Sequence, residues 1–356
     1  MARRLPRAPV PRTCADTSGH PNRLTTPSVH TNRDEFPARE RSAPRTGRRV
    51  MADDFIQLSD PFRRELLAHC YRMLGSVHDA EDLVQETYLR AWKAYDRFEG
   101  RSSLRTWLYR IATTACLTAI EKRARRPLPT GLGSDSDPED DLVDGNEVLW
   151  LEPVPDELVG ADPAAIVTER ETIRLALVAS LQYLPPRQRA VLVLRDVLKW
   201  RAAEVAELLG TSTTAVNSIL QRARAGLAEV TEDAVVEPSN AAQRELLDRY
   251  AAAFEAKDIP AIVGLFTADV VWEMPPYRSW YRGPDAVARH LEIRCPGDIR
   301  VLPTRANGQP AFGLYLSGKP FNVQVLTIGE NGIEHVVNFL DPSLFEVFDL
   351  PLSVST

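Results

Sequence analysis

The chain has 356 residues, of which 26% are charged and 44% hydrophobic, with a formal net charge of −6. That length fits two or three domains with packed cores. No apolar run approaches the roughly 20 residues that cross a membrane, and nothing at the start reads as a secretion signal. Cys14, Cys70, Cys116 and Cys295 fit neither a zinc site nor a disulfide framework, so a reducing, cytoplasmic setting is expected.

Residues 1–52 are rich in Arg, Pro, Thr and Ser and lack helical periodicity, which predicts disorder. Eleven Arg less four acids give residues 1–50 a charge of +7, so the remainder carries −13 against the total of −6. Met51 reads as a natural start, which predicts that the upstream residues are not translated.

Residues 53–127 are helical by pattern. Phe62, Leu66, Leu67, Cys70 and Met73/Leu74 recur at spacings of three and four, and Gly75-Ser76 breaks the run. A second helix is predicted from Asp79 to Tyr95. Ala80, Val84, Tyr88, Ala91 and Tyr95 share its inner face, with Asp82, Gln85, Glu86, Leu89, Arg90 and Lys93 opposite. A leucine among charges on a solvent face suggests a partner surface. Phe98 to Ser103 reads as a polar loop containing Gly100, Arg101 and Ser102, and Leu104 to Arg125 as a long third helix stopped by Pro127 and Pro129. Loop, aromatics (Trp107, Tyr109) and basic residues together suit single-stranded DNA with bases turned out of the stack.

Residues 128–165 read as an acidic linker. Residues 127–169 contain twelve acids and neither Lys nor Arg, the pattern of a solvated spacer. Residues 166–232 are helical again and carry the strongest local signal. Arg201 to Leu209 is an amphipathic helix, Gly210 supplies a left-handed turn, and Thr211 or Ser212 caps a helix running to about Leu227. On that helix Val216, Ile219, Leu220, Ala223 and Leu227 form a core stripe. Thr213, Thr214, Asn217, Ser218, Gln221 and Arg222 present short hydrogen-bonding groups suited to base edges in a major groove. Arg224, Arg195, Lys199 and Arg201 flank them and suit phosphates.

Residues 240–350 predict an α+β domain. Two helices precede strand-like runs at Val270–Met274, Ile299–Arg305, Ala311–Leu316, Val323–Ile328 and Ile333–Leu340, with a helix at Pro284–Cys295. A curved antiparallel sheet wrapped on helices makes a cone with a pocket. Asp269, Tyr277, Tyr281, His290, His335 and Asp341 are the titratable candidates in it. Their spacing singles out no acid/base pair, so no catalytic residue, cofactor or metal is assigned.

Asp79-Ala80-Glu81-Asp82-Leu83-Val84-Gln85-Glu86-Thr87 with Arg90-Ala91-Trp92 resembles the polymerase-clamp helix of extracytoplasmic-function (ECF) sigma factors. Ser103-Leu104-Arg105-Thr106-Trp107-Leu108-Tyr109-Arg110-Ile111-Ala112 resembles their −10 segment. Leu184-Pro185-Pro186-Arg187-Gln188-Arg189 and the helix-turn-helix resemble their −35 module. Met274-Pro275-Pro276, Trp280-Tyr281-Arg282-Gly283, Ala306-Asn307-Gly308-Gln309-Pro310-Ala311 and Phe339-Leu340-Asp341-Pro342 are similar to the SnoaL-like tail of one ECF subgroup, the actinobacterial sigma-G group.

The resemblance implies a mainly helical protein with σ2 and σ4 modules and a C-terminal NTF2-like, SnoaL-like cone. It implies a transcription initiation factor rather than an enzyme, with the β′ clamp and β flap of core RNA polymerase and promoter DNA as partners. The tail is expected to regulate, with room for a small ligand. Clamp binding is expected of Asp79, Asp82, Gln85, Glu86, Leu89 and Arg90. Reading of the −10 element is expected of Gly100, Arg101, Ser102, Ser103, Arg105, Tyr109, Arg110, Thr114 and Thr118. Reading of −35 is expected of Thr213, Thr214, Asn217, Ser218, Gln221, Arg222 and Arg224. Related −10 helices usually carry Asn where Thr114 stands and often Asp where Thr118 stands, so promoter preference is left open. A self-standing helix-turn-helix regulator and a DNA-binding enzyme are the competing readings; residues 79–110 argue against the first.

Overall fold

Helix α1 (Arg63–Leu74) buries Leu66, Leu67, Cys70, Met73 and Leu74, the stripe its spacing predicts. Gly75 ends it at φ +68°, and a Cβ there would come within 2.8 Å of Leu151. Ser76 caps α2 (Val77–Ala94) by accepting from the Asp79 N–H, and Val77, Ala80, Val84, Thr87 and Ala91 turn inward. Ser103 caps α3 (Leu104–Ile120) in the same way. That helix stops five residues before the expected Arg125. Pro127 disfavours helical backbone in the residue before it, and Arg123 and Arg126 leave the helix line to reach Asp79. The described residues are 55–121, 123–160, 173–228, 240–295 and 297–355 of a computed structural model. The chain divides into Met1–Arg45 and Thr46–Thr356, and all described elements belong to the second unit. The expected disorder of residues 1–52 and the start at Met51 lie outside the described residues.

The second helical module comprises α4 (Leu175–Leu181), α5 (Pro186–Leu192) with a π turn at Val193–Val197, α6 (Ala202–Leu209) and α7 (Thr213–Ala228). Gly210, at φ +60°, makes the predicted left-handed turn between α6 and α7. Val205, Ala206, Val216, Leu220 and Ala223 are buried and join the two helices.

The C-terminal domain packs α8 (Asn240–Ala256), α9 (Ile259–Val263) and α10 (Pro284–Arg294) on a six-stranded sheet. Its strands are β1 (Phe266–Glu273), β2 (Trp280–Arg282), β3 (Ile299–Ala306), β4 (Gln309–Leu316), β5 (Lys319–Gly329) and β6 (Gly332–Phe339), in the order β2-β1-β6-β5-β4-β3. The sheet is mixed rather than antiparallel throughout, because β1 and β6 run parallel. The strand β2, too short for a periodic signal, was not expected. Asn307-Gly308, both at positive φ, close the β3–β4 hairpin as a two-residue loop. A last short helix, α11 (Leu344–Val347), follows the sheet.

One sheet face carries Trp272, Phe312, Leu326 and Val336 against Tyr250 and Phe254 of α8. On the other, Ala311, Val323, Val325, Val337 and Phe339 belong to the same apolar cluster as both helical modules. The acidic segment is not a solvated spacer. Leu151, Val154 and Val159 are buried, and the backbone bonds Ser136 N–H to Trp280 O, Arg278 N–H to Val143 O, and Asn307 N–H to Val154 O strap it to the sheet domain. Its acids meet cations from the C-terminal domain: Glu147 with Arg278, Glu139 with Arg289, and Asp156 with Arg305.

Two buried histidines give the fold a pH dependence. Burial lowers His69 to about 3, with Arg72 adding to the effect, and burial with Arg294 lowers His290 to about 4. Both return to about 6.5 on unfolding. Below that value the unfolded chain binds protons that the folded chain does not, so stability falls as pH drops from 6.5 towards 4. At pH 5 each histidine is expected to cost about 2 kcal/mol relative to pH 7. Urea midpoints at the two pH values check this, and His69→Gln should flatten the slope.

Candidate nucleic-acid and partner interfaces

The outward face of α2 holds Asp82, Gln85, Leu89 and Arg90 exposed, with Glu86 half-buried and paired to Arg90 at 2.6 Å. Leu89 is 58% exposed, and Trp92, one turn along, is 41% exposed. Together they form an apolar spot rimmed by charge, the composition of a protein-binding hot spot. Trp92 was not among the expected contacts; its i+3 spacing from Leu89 was the available signal. Asp79 departs from expectation. Burial opposes its charge, but Arg123 and Arg126 hold its carboxyl below its usual value, with Arg126 at 2.6 Å. In the free chain it fastens the segment after α3 to the start of α2.

Gly100 (φ +68°), Arg101 and Ser103 stand exposed in the loop before α3, with Ser102 half-buried. Thr114 and Thr118 are exposed one turn apart. Each hydroxyl donates to the carbonyl four residues back, at 2.8 and 3.0 Å, leaving its lone pairs free to accept from a base. Arg105 is forked onto Glu65 and lies 5.0 Å from the Tyr109 ring centroid. Tyr109 contradicts its expected role as a stacking surface. It is fully buried, its hydroxyl donates to Glu65 Oε2 at 3.2 Å, and its ring packs on His69 and on Trp200 of the second module. Trp107 is half-buried, tilted on Phe98 at 4.8 Å. Arg110 pairs at 2.8 Å with Glu207 of α6.

On α7 every expected residue faces solvent: Thr213, Thr214, Asn217, Ser218, Gln221, Arg222 and Arg224. Arg224 is held by both oxygens of Asp196, at 2.6 and 2.8 Å. Lys199 takes φ +57° in the turn before α6, and Arg195 donates to Trp200 O.

The chain matches the family models of sigma-70 region 2 over residues 58–126, sigma-70 region 4 over 174–227, and the SnoaL-like domain over 247–312. It is 56% identical over 314 residues to the ECF RNA polymerase sigma factor SigG of Mycobacterium tuberculosis H37Rv, covering 85% of each chain. The chain belongs to the ECF RNA polymerase sigma factors. It is also 33% identical over 241 residues to SigJ of the same organism, covering 65% of this chain and 70% of that relative. The crystal structure of M. tuberculosis SigJ superposes with a TM-score of 0.55 at 26% identity, covering 85% of this chain and 99% of that one. In this sigma factor the region 2 match ends at Arg126, where the acidic strap begins, and the region 4 match opens at Arg174, where α4 begins.

Region 2, the SnoaL-like domain and the strap meet at one buried side chain. Asn307, in the hairpin turn of the SnoaL-like domain, donates to Tyr71 OH of α1 at 2.8 Å and to Ile173 O at 2.7 Å, and accepts from the Val154 N–H of the strap at 3.0 Å. Gln309 accepts from the Leu175 N–H at the start of α4.

Of the titratable candidates in the cone, Asp269 and Asp341 are exposed. Tyr281 and His290 are buried with ring centroids 4.7 Å apart. His335 meets the buried Glu273 at 3.1 Å, under Thr130 of the strap, whose hydroxyl donates to the same carboxylate oxygen at 2.8 Å. No helix among the described residues is long and apolar enough to cross a membrane.

Proposed function

We propose that this sigma factor docks on the β′ clamp of core polymerase through Asp82, Gln85, Glu86, Leu89, Trp92 and Arg90, and on the β flap through its second module. The loop Gly100–Ser103 with Arg105, Arg110, Thr114 and Thr118 reads the −10 element. Thr213, Thr214, Asn217, Ser218, Gln221, Arg222 and Arg224 read −35. The cytoplasm is its place of action. The observation that carries this reading is the pair of polar, solvent-facing rows on α3 and α7, borne on separate modules of one chain. Transcription with purified core polymerase and full chain, followed by start-site mapping, tests it. Asn217→Ala is expected to lower output from its own promoters by roughly tenfold, the worth of one good base contact, while leaving polymerase binding intact. Equal output from all promoters would contradict it.

We further propose that the free protein is closed. The −10 and −35 elements are about 25 base pairs apart, roughly 80 Å of B-DNA. Arg110 of the −10 helix instead touches α6 of the −35 module, so the two elements cannot be read together until the modules part. The C-terminal domain regulates by holding that closed form, through Asn307 and through the cations that occupy the strap's carboxylates. Freeing the strap from the sheet domain requires those pairs to break. No catalytic role is assigned to the cone; a small ligand between its helices and sheet is compatible with the fold.

A further inference from the structure

The seam between the two helical modules contains a cavity of about 280 Å³. From the first module Leu74, Asp79, Ile120 and the run Arg123–Arg126 line it, and from the second Gln182–Pro186 and Arg189. Four arginines therefore line it against one lining carboxylate, Asp79, which already serves Arg123 and Arg126. Arg126 also reaches Glu152 and the Trp150 carbonyl from outside the lining.

Arg189 is the unusual member. It is only 3% exposed, and its partners are neutral: Met73 O, the Gln182 side-chain and backbone oxygens, and Leu184 O. Its Nε is buried and without a partner. Burial lowers its pKa to about 10, the mark of a cation that is poorly compensated. A buried charge held by carbonyls alone gains most from an anion. Tyr183 forms one wall, with the Arg125 guanidinium 4.5 Å from its ring centroid.

We propose that this seam is a binding site for a small phosphorylated metabolite, held by Arg123, Arg125, Arg126 and Arg189 with Tyr183 as its flat wall. Arginine forks brought to one cavity suit a tetrahedral dianion, which offers each of them an acceptor oxygen. The volume lies just under the usual range for small-molecule pockets, which admits a compact phosphate compound and not a polynucleotide strand. Because both modules supply walls, the occupant binds only the closed form. This consequence rests on the closed-form reading above: at a hundred times its Kd, a ligand exclusive to one form favours it about a hundredfold.

Calorimetry of the full chain with pyrophosphate as probe, at fixed ionic strength in chloride, tests the site. One-to-one binding is expected, weakened at least tenfold in Arg125→Gln and in Arg123→Gln. Arg125 is exposed and carries no ion pair among the described residues, so Arg125→Gln should keep the wild-type thermal midpoint, which is measured alongside. Arg123→Gln leaves Asp79 with Arg126 alone, so its binding is read at a temperature where its own melt shows it folded. Absence of saturable binding, or equal binding by both variants, would overturn the proposal. So would displacement of pyrophosphate by a short single-stranded DNA, which would make the seam a nucleic-acid contact. A second arm measures core-polymerase affinity with and without pyrophosphate. A drop of about tenfold or more near saturation is expected. Binding with unchanged affinity would remove the locking role and the closed-form reading while leaving the site in place.

Discussion

Asn307→Ala is expected to raise the affinity of this sigma factor for core polymerase by about a hundredfold. The substitution strands the buried Val154 N–H and Ile173 carbonyl and removes one of the two partners of the Tyr71 hydroxyl, which keeps its bond to Glu152 O. Each stranded group costs about 1–3 kcal/mol, and Ala at φ +57° adds about 1 kcal/mol. The total, at least about 3 kcal/mol, falls on the joint between strap, helical modules and sheet, so it weighs against the closed form. The C-terminal domain should remain folded, because Asn307 sits in a hairpin loop and the helix-facing core of the sheet does not include it. Titration of labelled core polymerase with wild-type and variant chains checks this; equal affinities would mean that closure is not what limits assembly. Deleting residues 240–356 is a poorer test. It would remove Val323, Val325, Val337 and Phe339 and so uncover the apolar residues of the strap and of the helical modules in the same cluster.

Leu89→Asp combined with Trp92→Ala should have the opposite effect. Both side chains are exposed in the free chain, so the thermal midpoint should not move. Truncated hot-spot residues typically cost 2 kcal/mol or more each, which predicts at least a hundredfold loss of core binding and of transcript. Retention of core binding by a variant with an unaltered midpoint would show that α2 does not dock.

The two helical modules were legible because their signals are local. Gly210 between two amphipathic runs defines a turn whatever surrounds it, and the stripe from Val216 to Leu227 needs only the helical period. Asp79 could have been placed correctly as well. Ser76 followed three residues later by an acid is a capping pattern, which turns the N3 side chain back towards the helix start. Tyr109 was misplaced because residue type was read without its face; it lies beside Leu108, Ala112 and Thr113, all buried. The strap was illegible for a different reason. Its acids find Arg278, Arg289 and Arg305 about 150 residues away on another domain, and no local pattern reports a partner at that separation. Asn307 was readable as a turn residue, but the side chain that joins three regions was not.

In the proposed cycle the free chain holds its two reading modules in contact, and they part on the polymerase and promoter. Labels introduced by Glu121→Cys at the end of α3 and Ala225→Cys on α7, both exposed positions, report their separation. A short distance in the free chain that lengthens by several tens of Å in the promoter complex, towards the ~80 Å that separates the two elements, is the predicted result. The same distance in both states would contradict it.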